Sequence, residues 1–193
     1  DLPSGQKICF IDGGNIEIMK GPSFSLHLIK LYYTIYQNNK RIDAQRYSLL
    51  CLITTVEQDQ EIFLKAEAFP LTKTMKAFDP YLVSSLDPTV KQGISRCSPS
   101  HIGNVYRRLT EIATATDVVK KLSANDIIIL DGDLHAKVVG EQASLDKLYL
   151  ISKEKKVVIA GLAKTSDWVT NTGFPVISSI QKLAISQEKK TWF

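Results

Sequence analysis

The chain has 193 residues, 44% of them hydrophobic and 23% charged, with a formal net charge of +4 and a pI near 8.9. That is an ordinary composition for one globular domain, or one domain with an attached arm, able to bury a full core. No apolar stretch approaches the roughly 18 residues of a membrane span, and the mild basicity is compatible with nucleic-acid binding without establishing it. Cys9, Cys51 and Cys97 are odd in number and widely spaced, which argues against a disulfide framework or a zinc site and fits a cytoplasmic protein. The opening Asp1-Leu2-Pro3-Ser4 reads as neither a signal peptide nor an initiator methionine, so a processed end or a piece of a longer protein is expected.

In chain order, the apolar run Ile8-Cys9-Phe10-Ile11 predicts a strand over Lys7 to Asp12, with Asp12 at its junction with a Gly13-Gly14 turn. Phe24 to Tyr36 is rich in β-branched and aromatic residues and reads as a second strand. A polar turn, Gln37 to Arg41, leads to a third strand over Tyr47 to Val56. After a second polar turn at Glu57 to Gln60, residues Glu61 to Phe69 form a further strand or begin a helix. Residues 70–99 carry Pro70, Pro80, Pro88 and Pro99 and are expected to be a flexible insertion or lid.

Ser100 is the expected N-cap of a helix to about Leu122, with Ile102, Val105, Leu109, Ile112, Thr116 and Val119 on one face. A second buried-strand pattern, Ile127-Ile128-Ile129-Leu130, again ends in Asp-Gly, at Asp131-Gly132-Asp133. A short helix (Gln142 to Lys153), a strand (Val157 to Gly161) and a terminal helix (Val176 to Gln187) complete the chain. There is no internal repeat. Three strands, an insertion and then alternating helices and strands resemble the ribonuclease H-like order: an α/β fold with a mixed sheet flanked by helices. In it the first and fourth strands lie side by side and parallel, as the two Asp-Gly strands require.

Ligands of open α/β sheets bind at the carboxyl ends of the strands, so Asp12 and Asp131 are expected to converge there. Adjacent carboxylates raise each other's pKa and need a proton or a metal to coexist; hard oxygen ligands favour Mg²⁺ or Mn²⁺. Phosphodiester hydrolysis in a two-metal site uses three or four carboxylates around ions about 3.5–4 Å apart. Glu111, the one acidic residue of the helix between Ser100 and Thr116, is the candidate third ligand, although it lies outside the apolar stripe and a solvated glutamate is the alternative. Asp133 could share the metal or cap the next segment, and the cap is favoured. His135 could approach the site, Asp167 could be a fourth carboxylate, and Lys164 could hold a phosphate as a point charge. Arg107 and Arg108, like the lysine clusters, read as a solvated face, and His27 as a structural strand residue. A haloacid dehalogenase-type phosphatase wants Asp-x-Asp after the first strand, where this chain has Gly14.

Together, Asp12-Gly13-Gly14, Arg108-Leu109-Thr110-Glu111, Leu130-Asp131-Gly132-Asp133-Leu134 and Val158 to Thr165 resemble the NurA nucleases, DNA end-processing enzymes with a ribonuclease H-like core. The resemblance implies a single NurA-like domain over 1–193 in which Asp12, Glu111 and Asp131 hold Mn²⁺ or Mg²⁺ and Lys164 neutralises the scissile phosphate. It implies DNA, a HerA-like hexameric ATPase and a second copy of the chain as partners, with no membrane. Relative to the family, a further strand and a histidine would follow Phe193. The rival reading is a relative that docks on a translocase or DNA without cutting.

Overall fold

The computed structural model describes residues 5–73, 78–163 and 168–187. The chain forms two compact units, Asp1–Gly161 and Leu162–Phe193, where the sequence predicts one domain. The fold is α/β and is built on a seven-stranded mixed sheet in the order β5-β4-β3-β2-β1-β6-β7.

Strands β1 (Lys7–Gly21), β2 (Phe24–Gln37), β3 (Lys40–Gln58) and β4 (Glu61–Pro70) form an antiparallel meander. Two-residue turns join the later strands: Asn38 and Asn39 have φ of 49° and 60°, Asp59 and Gln60 of 52° and 64°. Positive φ at both turn residues matches the strand twist, and asparagine and aspartate tolerate it. The polar turns are therefore shorter than expected, and β3 begins at Lys40 rather than Tyr47.

β1 is also longer than expected. Gly13 and Gly14 lie within it, paired with Leu31 and Lys30, so Asp12 is a mid-strand residue and not the start of a turn. The ladder to β2 supplies the hydrogen bonds that hold these glycines extended, a tertiary effect that overrides their turn preference.

Within 70–99, β5 (Tyr81–Ser84) pairs with β4, and Val83, Val90 and Cys97 are buried, so these parts of the expected insertion are packed on the sheet. Helix α1 (Pro99–Val119) follows, capped at Ser98 with Pro99 in its first turn; Ser100 is already helical. Then come β6 (Ile127–Asp131), α2 (Glu141–Lys155) and β7 (Val158–Leu162).

α1 lies across one sheet face. Ile102 and Val105 join Ile29, Leu31, Leu49 and Cys51 in one apolar cluster. Ile112, Ala115 and Val119 join Cys9, Ile11, Ile128 and Leu130 in another, which Leu145 and Leu148 of α2 complete. Each fully buried aliphatic side chain contributes about 1.5–3 kcal/mol. These clusters fix α1 over β1 and place its polar edge along that strand. In the second unit, α3 (Val176–Ser186) buries none of its side chains. Among the described residues no helix is long and apolar enough to cross a membrane.

Candidate metal centre

β1 and β6 are parallel neighbours with Ile8 opposite Ile127 and Ile11 opposite Leu130, so Asp12 and Asp131 follow at matching positions. Beyond this point the strands part. β6 ends at Asp131 and turns at Gly132, whose φ of 85° is open to glycine at no steric cost. β1 runs on to Gly21, leaving a notch at its outer edge. The second Asp-Gly is thus the strand-to-turn junction the sequence predicts, and the first is not.

Cys9 and Ile11 are buried and Asp12 is exposed, in the alternation of a strand with one covered face. Ile128 and Leu130 are buried under the helices in the same way, and Asp131 is half-buried. Alternation therefore turns Asp12 and Asp131 to the face away from α1. The Asp12 carboxylate accepts a hydrogen bond from the Gly13 amide at 3.0 Å.

Glu111 approaches from the helix side. It is only 2% exposed, so the solvated alternative is incorrect. Its place depends on Gly13: a Cβ there would stand 2.4 Å from Glu111 Oε1 and 2.9 Å from its Cγ. Arg107 pairs with the same carboxylate and donates to the Gly13 carbonyl at 3.0 Å. Arg108 Nη1 is 3.8 Å from Glu111 Oε2.

Burial pushes the Glu111 carboxyl up to about 7. The two arginines oppose that shift, while the charges of Asp12 and Asp131 add to it. The three predicted carboxylates therefore share one electrostatic locus, across a strand that carries no side chain at Gly13. Arg107 and Arg108 belong to this site rather than to a solvated face.

Asp133 takes the capping role: its Oδ1 accepts from the His135 amide at 3.4 Å, and Lys137 pairs with it at 2.9 Å. His135 is exposed. Lys164 and Asp167 lie outside the described residues.

Among the described residues, no three histidine, cysteine, aspartate or glutamate side chains stand together as a ready metal-binding group. The physical reason is the strand between them, with two aspartates on one face and Glu111 on the other. The donor set nevertheless fits a hard divalent cation: three carboxylate ligands, mutual repulsion that a cation would relieve, and a glycine that leaves room for the third.

Sequence reasoning missed Glu141, which is 2% exposed and bound to Arg108 Nε at 3.0 Å. Its partner is distant in sequence and no local pattern signals it. It also missed the polar seam along α1 and β1. There His27, 2% exposed, lies between the Ser25 hydroxyl and Asn15 Oδ1, each at 2.9 Å. Asn15 Nδ2 donates to Asn104 Oδ1 at 3.2 Å, so Asn15 presents its oxygen to His27 Nδ1, which donates, and Nε2 accepts from Ser25. Burial holds the His27 pKa below its ordinary value despite the nearby Glu17. Glu17 itself accepts from Ser100 and pairs with Lys20, which hold its pKa low.

Compared with family models, with curated proteins and with solved structures, the chain finds no match.

Proposed function

We propose that the chain is a metal-dependent DNA nuclease with a ribonuclease H-like, NurA-like fold. The observation that carries this reading is the β1–β6 register, which sets Asp12 beside Asp131 where the parallel pair ends, with Glu111 entering their field across Gly13. The sheet order, with β1 to β3 antiparallel and β6 parallel to β1, supports the same fold.

Asp12, Glu111 and Asp131 would hold Mn²⁺ or Mg²⁺. When bound, such an ion lowers the pKa of water and offsets charge on the phosphoryl oxygens. Arg107 orients Glu111 against Gly13, and the notch beyond β6 leaves the outer edge of β1 open to a strand of DNA. Lys164, just past β7, is the proposed cation for the scissile phosphate. The proposed setting is cytoplasmic, which the three buried free cysteines support. The proposed role is DNA end processing with a HerA-type translocase, with a homodimer as the assembly.

The second reading, a domain that docks on DNA or a translocase without cutting, draws support from the separation of Glu111 from the two aspartates by β1. Incubation of labelled linear single- and double-stranded DNA with Mn²⁺, Mg²⁺ or EDTA separates the two. Cutting that EDTA abolishes is the expected result. Binding without cutting in any metal selects the docking domain.

A further inference from the structure

We propose that Arg108 and Glu141 are a positioning pair that sets the geometry of Asp131 and Glu111 for a divalent cation. The proposal rests on the metal-dependent reading above and adds the residues that make its site rigid. Asp131 is the last residue of β6 and is followed by Gly132 in the left-handed region, the residue type with most conformational freedom. A ligand carboxylate beside such a turn needs an outside restraint.

Arg108 supplies it. Its Nη1 donates to the Asp131 carbonyl at 2.9 Å and its Nη2 to the Asp133 carbonyl at 2.7 Å, so one guanidinium clamps the backbone on both sides of Gly132. The same Nη1 lies 3.8 Å from Glu111 Oε2. Its Nε donates to Glu141 Oε1 at 3.0 Å, and the other Glu141 oxygen accepts from the Lys137 amide at 2.8 Å. One buried pair therefore ties α1, the end of β6, the loop after it and the start of α2.

Two features separate this from ordinary packing. A buried ion pair contributes little net stability against an apolar replacement, so its retention calls for another role. The fork of Arg108 is also filled by protein acceptors, so it acts through Asp131 and Glu111 and not on a ligand directly. Residues that orient metal ligands in this way change metal affinity about 10–100-fold when altered.

The test is an Mn²⁺ titration followed by electron paramagnetic resonance, on the full chain, for wild type, Arg108→Lys and Glu141→Gln, with circular dichroism as a check of fold. Both variants are expected to stay folded and bind Mn²⁺ about tenfold or more weakly, because a lysine point charge cannot span both carbonyls and glutamine loses the charge that orients the guanidinium. If Arg108→Lys fails to fold, Glu141→Gln carries the test alone. A lower melting temperature with unchanged Mn²⁺ affinity would show a structural role and overturn the proposal while leaving the nuclease reading intact. Wild type that binds no Mn²⁺ would overturn both.

Discussion

Glu111 illustrates how far a side chain's chemistry depends on what surrounds it. Its pKa in the folded chain is about 7, against an ordinary value of 4.5, with burial as the main cause. A raised pKa means that the folded state holds a proton the unfolded state has already released. Its contribution to stability is therefore complete below about pH 4.5 and is lost as pH rises to about 7. In EDTA, thermal unfolding across that window should show a falling melting temperature. Glu111→Gln, which mimics the protonated form, should flatten its share of the slope, and equal slopes in both proteins would contradict the assigned burial. Gly13 is the companion case. Gly13→Ala would drive a methyl into Glu111 and to 3.0 Å from Leu31 Cδ2, with an expected loss of about 1–3 kcal/mol in urea unfolding.

At the scale of elements, the site is a property of the α1–β1–β2 seam. Gly103 of α1 faces the His27 ring, and a Cβ there would lie 2.4 Å from two ring atoms. In an exposed helix, glycine to alanine stabilises by about 1 kcal/mol. Here Gly103→Ala should reverse that sign and destabilise the chain, which urea unfolding would read directly. The two Asp-Gly strands were legible because each joins a short apolar run to a glycine, a local pattern. The reach of β1 to Gly21 was not, because it depends on pairing with β2, which no window of β1 contains. Glu111 was legible as a carboxylate off the apolar stripe of a helix. Its burial was not, since that follows from Gly13 on another element and from arginines that read as surface charges. Glu141 shows the same limit: its role exists only once Arg108, far back in the chain, is packed beside it.

For the whole molecule, both apolar clusters and every described candidate ligand lie before Leu162. Residues 1–162 alone should therefore unfold cooperatively in urea, and a broad, non-cooperative transition would contradict the assignment of the core to that unit. Lys164 is absent from such a fragment, so comparison with the full chain also isolates its proposed contribution. The central claim is that Asp12, Glu111 and Asp131 serve phosphodiester cleavage. The most direct measurement is single-turnover cleavage of labelled linear DNA in Mn²⁺ by wild type and Asp131→Asn, with DNA binding measured on the same proteins. Cutting by wild type, and its loss in the variant by about 10²-fold or more at unchanged binding, is the predicted result. Equal cutting by both proteins, or none by folded wild type with any metal, would contradict it.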